Sequence, residues 1–331
     1  MLIRSIFALI SVVLFAFVAA AQTAPLKCLP SETSYGLPCT KRSLKLLNSE
    51  IEIKVYSKPP TPRQLAKPLD RTFVVVHANE EKGLDAAKQV ISQNYGRLVE
   101  IVSKDSAGKS RRHLFFGPNN ENCIDPNRIY TRAGIRKALA DRSLPCKAIA
   151  EPTTATVEGI ADFARRFIAI VTNNGTHRFI IGVHNNDDSL SPDTWSKYPD
   201  GRVGSEARST YGIFLANDHQ TDTTIDTGIH NFVLATNGHL FGKMLDAHVS
   251  ALILQEDREY LTEPVAGTRK RSLKGSIDDG SMSIYFGSTN FATTGRPYDY
   301  INIEAGGKES IEDKAKNWQK ETILKALKIT L

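Results

Sequence analysis

The sequence lacks several features that would place it in a broad class before any motif is considered. Beyond its first residues it has no apolar run long enough to span a membrane, so we expect no stable membrane insertion of the mature chain. Its basic residues are scattered apart from Arg269-Lys270-Arg271 and form no stripe interleaved with aromatic residues. Nucleic acid is therefore not an expected partner. Internal repeats, low-complexity tracts and a clear linker are also missing, which favours a single domain over 22–331.

The N-terminus has the layout of a secretory signal peptide. Arg4 precedes an apolar run from Ser5 to about Val18, and Ala19-Ala20-Ala21 follows. We expect cleavage after Ala21, so that residues 1–21 are a signal peptide and the mature chain is periplasmic or secreted. The alternative is an uncleaved anchor, because the run approaches the lower limit for crossing a bilayer.

Cysteine is scarce, and the spacing of its four positions disfavours one kind of metal site. No CxxC pair is present, which disfavours zinc bound by cysteine. An even number of cysteines in an exported chain indicates disulfides, and three pairings are open. The local pairing is preferred because it closes short loops. It joins Cys28 to Cys39 and Cys123 to Cys146.

Strand patterns and helix patterns alternate along the chain. The continuous apolar runs at 73–76 and 179–183 are typical of strands that are buried on both faces. The other predicted strands are 51–56, 98–102, 114–116, 232–235, 249–254, 283–286 and 300–303, and the predicted helices lie at 83–95, 150–171 and 311–327. Residues 22–45 read as an irregular, disulfide-tied lead-in. This alternation predicts an α/β fold with a largely parallel or mixed sheet.

Two of the predicted buried strands end in histidine. The first runs into His77-Ala78-Asn79-Glu80 and the second into His184. Ligands of open α/β sheets bind at the carboxyl ends of strands, so His77, Glu80 and His184 form a candidate zinc triad. Three protein ligands leave a fourth position for water, as in catalytic zinc sites. Alternatively, each histidine is an ordinary hydrogen-bonded residue at a strand end.

Two further segments supply groups that such a site needs. In Asp125-Pro126-Asn127-Arg128, the planar guanidinium of Arg128 is suited to a substrate carboxylate, and Asn127 could support it. Glu304 follows a late strand and precedes a glycine pair, where a carboxylate could act as the general base. A structural salt bridge for Arg128 and an ordinary strand end for Glu304 are the alternatives.

In this order, the motifs resemble those of the zinc carboxypeptidase superfamily, nearest to the branch of succinylglutamate desuccinylase and aspartoacylase. His-Ala-Asn-Glu is similar to that branch's His-Gly-Asn-Glu, and Asp-Pro-Asn-Arg to its Asp-Leu-Asn-Arg. The resemblance implies a mixed, mostly parallel eight-stranded sheet between helices and one zinc ion. It assigns the metal to His77, Glu80 and His184, a substrate carboxylate to Asn127 and Arg128, and the general base to Glu304. Arg132 is the candidate for an additional arginine that stabilises an oxyanion.

These inferences predict an exported zinc-dependent metallopeptidase or amidohydrolase that cleaves an amide bond near a substrate carboxylate. The expected substrate is a peptide or an N-acyl amino acid, and peptidoglycan stem peptides are one candidate in a periplasm. The alternative is a catalytically inactive zinc- or peptide-binding protein on the same scaffold.

Overall fold

The computed structural model describes most of the N-terminal half of the chain and selected elements of the rest. The longer described segments are 25–61, 71–104, 108–186, 280–288, 298–306 and 312–329. The shorter ones are 196–197, 203–204, 213–215, 232–235 and 252–256. The predicted signal peptide at 1–21 lies outside these segments.

The described part alternates strands and helices much as the sequence pattern predicts. The strands are β1 (Leu26–Lys27), β2 (Cys39–Leu46), β3 (Ser49–Lys58), β4 (Arg71–Val75), β5 (Gly96–Val102), β6 (Leu114–Phe116), β7 (Asn122–Ile124), β8 (Phe179–Asn186), β9 (Ser196–Lys197), β10 (Val203–Gly204), β11 (Ile213–Leu215), β12 (Phe232–Ala235), β13 (Leu252–Glu256) and β14 (Asp299–Gly306). The helices are α1 (Glu81–Gln93), α2 (Arg132–Ala140), α3 (Thr154–Val171), α4 (Met282–Ser288) and α5 (Glu312–Ile329). Short 3-10 turns lie at Pro30–Glu32 and Pro126–Arg128.

One large mixed sheet organises the fold. Its strand order is β1-β2-β3-β5-β4-β8-β14-β12-β13-β11. The central strands β5, β4, β8 and β14 are mutually parallel, and β12 is parallel to β13. The outer pairs β1-β2, β2-β3 and β11-β13 are antiparallel. The α/β class with a mixed sheet is therefore confirmed, whereas the described residues alone contribute ten strands to the sheet rather than the expected eight.

Both faces of the central strands are buried, which explains their continuous apolar runs. On β4, Val74 belongs to the core cluster that includes Phe163 and Phe167 of α3. Its neighbours Phe73 and Val75 belong to the opposite cluster, with α1 and α5. Burying a side chain of this size stabilises the fold by roughly 1.5–3 kcal/mol. The strands that carry the candidate ligands are thus among the best-buried parts of the protein.

Two sequence-based assignments of secondary structure are wrong. The apolar segment 283–286 lies within helix α4, where Phe286 packs against Tyr300 with ring centroids 5.3 Å apart. Short apolar runs fit a buried helix as well as a strand, so periodicity alone could not decide. The lead-in at 22–45 is more regular than predicted, because Cys39 already begins β2.

Both predicted disulfides are present, Cys28–Cys39 and Cys123–Cys146. The first links the segment after β1 to the start of β2, and the second links β7 to the segment after α2. Within the described segments, no helix combines the length and the apolar character that a membrane crossing requires.

Candidate metal centre

His77 and Glu80 lie in the turn that joins β4 to α1. The backbone N–H of Glu80 donates to the carbonyl of His77 at 3.1 Å, and Glu80 immediately precedes the helix. This turn brings the side chains together, with His77 Nδ1 2.7 Å from Glu80 Oε1. The two residues are 1% and 2% exposed. The three-residue spacing therefore places a nitrogen and a carboxylate side by side at the end of a buried strand.

His184 reaches the same turn from β8, which lies directly beside β4 in the sheet. Its Nδ1 is 3.2 Å from Glu80 Oε2, and its ring centroid is 5.3 Å from that of His77. Gln319 of α5, which is fully buried, donates from Nε2 to the carbonyl of His184 at 2.6 Å. This hydrogen bond from helix α5 thus holds the end of β8 in place.

The chemistry of this cluster fits a metal ion. One potential ligand atom from each of His77, Glu80 and His184 can be chosen so that all three lie within 4.8 Å of one another. Among the described residues, buried His184 Nε2 has no hydrogen-bond partner, and Glu80 Oε2 has no contact beyond its ion pair with His184 Nδ1. An unsatisfied buried polar atom is costly, so this arrangement is explained best by an additional ligand. Two imidazoles and one carboxylate are a donor set that zinc favours.

The charged groups of the cluster shift one another's pKa values. Burial disfavours a charged His77 ring, but the carboxylates of Glu80 and Asp125 outweigh burial and raise the pKa of His77 to about 9. Burial likewise opposes ionisation of Glu80, but His77 and His184 lower the pKa of Glu80 to about 2. The cluster thus favours a cation beside the Glu80 carboxylate, and a bound metal ion would be such a cation.

Asp125 is a functional candidate to which the sequence pattern assigned no role. Its Oδ1 is 2.8 Å from Nε2 of His77, the ring nitrogen that faces away from Glu80. The same oxygen accepts the backbone N–H of Asn127 at 2.7 Å, which fixes the carboxylate at the start of a 3-10 turn. A carboxylate on the outer nitrogen of a metal-binding histidine orients the ring and raises its basicity. The sequence did point to this position, since Asp125 begins the motif that contains Asn127 and Arg128.

Asn127 and Arg128 lie on this same 3-10 turn, close behind the cluster. The side-chain oxygen of Asn127 accepts the backbone N–H of Met282 at 3.0 Å, so Asn127 anchors the start of α4. Nη1 of Arg128 donates to the carbonyl of Asn127 at 2.7 Å. Burial raises the pKa of Asp125, but His77 and, to a smaller extent, the charges of Arg128 and Arg112 lower it well below its usual value. The structure therefore brings both residues near the cluster through Asp125.

Glu304 lies on β14 in register with His184 on the parallel strand β8. Register partners project to the same face of a sheet, so the Glu304 carboxyl shares the surroundings of the cluster. Asn302 Nδ2 donates to Glu304 Oε1 at 2.8 Å. Burial raises the pKa of Glu304; His184 opposes this rise and Glu80 adds to it. A carboxyl group that holds its proton more readily than usual suits proton transfer.

The structure brings a different arginine to the cluster from the one that the sequence suggested. Arg132 lies on α2, is largely exposed, and forms a two-point contact with Glu158 at 2.6 and 2.9 Å. Arg112 instead approaches Glu80 Oε1 at 3.8 Å and Asp125 Oδ2 at 3.5 Å. It comes from the loop before β6, and nothing in its sequence surroundings indicates this contact.

No family model matches the chain, and no curated protein matches it. Among solved structures, the comparison returns an S-formylglutathione hydrolase from Agrobacterium tumefaciens at 15% identity and a TM-score of 0.26. That match covers 46% of this chain and only half of the hydrolase chain. It also returns a poly(3-hydroxybutyrate) depolymerase from Bordetella parapertussis at 13% identity and a TM-score of 0.27, covering 87% of this chain and 93% of the other.

The function predicted from the sequence needs correction. The predicted function was a zinc-dependent metallopeptidase or amidohydrolase that cleaves an amide bond near a substrate carboxylate. The two structures returned are named as a hydrolase and a depolymerase, and neither is named as a zinc peptidase. The peptidase and amidohydrolase assignment is therefore contradicted, and peptidoglycan stem peptides are withdrawn with it. Structural similarity at such low TM-scores assigns neither a fold family nor a substrate to this chain.

Proposed function

We propose that His77, Glu80 and His184 bind one zinc ion and that the chain is a hydrolase whose reaction takes place at this ion. The observation that carries the proposal is the buried cluster of two imidazoles and a carboxylate, in which His184 Nε2 has no hydrogen-bond partner among the described residues. Peptide and other amide bonds are excluded from the proposal, and the bond that is cleaved is otherwise left open.

The residues around the ligands have separate roles in this proposal. When bound, zinc supplies Lewis acidity, which polarises a carbonyl group and makes water more acidic. Glu304 accepts the proton of the attacking water and passes it to the leaving group, a task that suits its raised pKa. Asp125 holds the His77 ring through Nε2, and Gln319 holds the end of the strand that carries His184.

Two further features support the proposal. The resemblance of the short motifs to the zinc carboxypeptidase superfamily supports the ligand set, although its peptide substrates are not carried over. The two disulfides support an exported protein, because disulfides persist in oxidising compartments. We therefore infer that the site works in the periplasm or outside the cell.

Zinc binding is the direct test of the ligand set. Protein expressed with both disulfides formed is stripped with a chelator and titrated with zinc, followed by elemental analysis. We expect one tightly bound ion. Glu80→Gln should weaken zinc binding by at least about a hundredfold, since a protein ligand is lost. Glu81→Gln is the matched control, because this adjacent glutamate is exposed and begins α1.

Turnover is tested separately from metal binding. A panel of ester and thioester substrates is screened with the zinc-loaded protein, and Glu304→Gln is compared with Glu81→Gln on any substrate that is cleaved. We expect Glu304→Gln to keep its zinc and to lose roughly a hundred- to ten-thousandfold in kcat. Equal zinc affinity in the Glu80→Gln and Glu81→Gln variants would reject the ligand set. Full activity of Glu304→Gln would reject the base.

A further inference from the structure

Asn302 lies two residues before Glu304 on β14 and faces the same side of the sheet. Ile301 and Ile303 face the opposite side and belong to the core cluster that packs against α1 and α5. On the side of Asn302, Tyr300 belongs to the core cluster that includes α3, and Asn302 itself is only 7% exposed. A buried amide is costly unless it forms hydrogen bonds, so an asparagine here calls for a specific partner.

The partner is the carboxyl group of Glu304. Asn302 Nδ2 donates to Glu304 Oε1 at 2.8 Å, an ordinary length for such a bond. A hydrogen bond to an ionised carboxylate is roughly twice as strong as one between neutral groups. Because Oε1 is held in this way, the orientation of the second oxygen, Oε2, is fixed as well.

Strand β8 leaves room for the amide because it carries a glycine at the opposite position. Gly182 is the register partner of Asn302. A Cβ atom at Gly182 would lie 2.9 Å from Asn302 Oδ1, which is closer than real Cβ contacts, and would also collide with the hydroxyl group of Tyr300. The Asn302 amide therefore lies over Gly182, in a closely packed place where it has little freedom to turn away from Glu304.

Stability alone does not account for an asparagine at this position. Asn302 Oδ1 is buried and has no hydrogen-bond partner among the described residues. A buried acceptor without a partner destabilises the fold, whereas an apolar side chain of similar size would avoid this cost. A buried amide that costs stability and holds a candidate general base indicates a role in function.

We propose that Asn302 is the positioning residue of the general base: its amide holds Glu304 Oε1, so that Oε2 points toward the water that attacks the substrate. Asn302 does not touch the substrate and acts only through Glu304. Its effect on turnover rests on the proposed hydrolase function, in which Glu304 accepts a proton from that water. The hydrogen bond that holds the carboxyl group does not rest on it. Displacement of a reacting group by about 1 Å can cost about a hundredfold in rate.

The first test asks whether Asn302 holds the carboxyl group, and it needs neither zinc nor a substrate. Crystal structures of the metal-free protein, with both disulfides formed, are compared for the unmodified chain and for Asn302→Leu. We expect the Glu304 carboxyl group to move by about 1 Å or more, or to occupy several conformers, once the amide is removed. Asn302→Asp keeps the shape but replaces the donor with an oxygen, and it should displace Glu304 likewise.

The matched control for both tests is Thr172→Val. Thr172 is buried like Asn302, and its hydroxyl donates to the carbonyl of Ile168 at the end of α3. The substitution therefore removes a buried hydrogen bond without a contact to Glu304. We expect it to leave the Glu304 carboxyl group in place and to change kcat by less than about twofold.

The second test measures turnover of 4-nitrophenyl acetate by the zinc-loaded protein. We expect Asn302→Leu to lower kcat by about 10- to 100-fold and to change KM and zinc affinity by less than about threefold, because Asn302 binds neither substrate nor metal. In the Glu304→Gln background, the same substitution should change kcat by less than about twofold, because no base is left to position. A merely structural role would not make the effect depend on Glu304.

Two results would overturn the proposal. One is a Glu304 carboxyl group that keeps its position in both Asn302→Leu and Asn302→Asp. The other is a loss of kcat on Asn302→Leu that is equal with Glu304 and with glutamine at position 304. Failure of the hydrolase proposal is seen separately, as the absence of turnover of every ester and thioester by the unmodified, zinc-loaded protein. That result also rejects a role of Asn302 in turnover, and the crystal structures still decide whether Asn302 holds Glu304.

Discussion

The contact between Asp125 and His77 gives the sharpest prediction about the candidate metal centre. Asp125 Oδ1 lies 2.8 Å from His77 Nε2 and also accepts the backbone N–H of Asn127 at 2.7 Å. The substitution Asp125→Asn keeps an oxygen that can accept both hydrogen bonds, but it removes the negative charge. Asp125→Ala removes the charge and both hydrogen bonds. The two variants therefore separate the charge from the geometry.

The expected magnitude follows from the role that the proposed zinc site gives to Asp125, that of an outer partner of the metal ligand His77. Loss of such a partner typically weakens metal binding by about 10- to 100-fold. We assign the lower limit to Asp125→Asn, which is about 1.4 kcal/mol in binding free energy, and the upper limit to Asp125→Ala, about 2.7 kcal/mol. Nearby Arg112 adds to the charge effect, because it lies 3.5 Å from Asp125 Oδ2 and loses an attractive partner.

The assay is competition for zinc with a chromophoric chelator at neutral pH, accompanied by thermal unfolding of each metal-free variant. Asp141→Asn is the matched control, because Asp141 is exposed and its side chain accepts the backbone N–H of Ser143 in another turn. We expect this control to bind zinc as the unmodified protein does. If Asp125→Asn also retains full affinity while Asp125→Ala loses it, the hydrogen bonds matter and the charge argument is refuted. If both retain full affinity, Asp125 does not act on His77.

Two further predictions concern the frame of the site. Gly182→Ala should destabilise the fold by about 1–3 kcal/mol in chemical denaturation, because a Cβ there would approach Tyr300 Oη too closely to fit without movement. Replacing both cysteines of Cys123–Cys146 with serine should lower the free energy of unfolding by roughly 3 kcal/mol in the same assay.

Each of these predictions has an outcome that contradicts it. Unchanged stability of Gly182→Ala would mean that Tyr300 moves aside without cost. For the disulfide, the matched comparison replaces both cysteines of Cys28–Cys39 with serine, which should cost less stability because this link closes a shorter loop. A larger loss of stability in the Cys28–Cys39 variant would mean that loop length does not determine the contribution of these two disulfides.

The positions of the predicted ligands could be inferred from sequence because local patterns determine them. Uninterrupted apolar runs identified β4 and β8 as buried strands, and neighbouring parallel strands present their carboxyl ends at one edge of the sheet. His77 and His184 follow from that geometry. Glu304 follows in the same way, since it lies near the end of the late strand β14.

The rest of the site depends on contacts between distant parts of the chain. The sequence around Arg112 and Arg132 does not show which of them approaches Glu80. In the folded protein, the loop before β6 brings Arg112 to Glu80, whereas Arg132 contacts Glu158. The role of Asn127 in holding the start of α4 depends on a contact with Met282, 155 residues further along the chain. Local periodicity carries no information on such pairs, and it also failed to distinguish helix α4 from a strand.

The pairing of β8 with β14 has a consequence for insertions and deletions. His184 and Glu304 are register partners, and side chains alternate between the two faces of a sheet with a period of two. One residue inserted in β14 before Glu304 would turn its carboxyl to the opposite face, among the apolar side chains that pack on the helices. A two-residue insertion would restore the original face but displace the group along the strand by about 7 Å. In the lineage of this protein, the segment between Asp299 and Glu304 should therefore tolerate substitution far better than any change in its length.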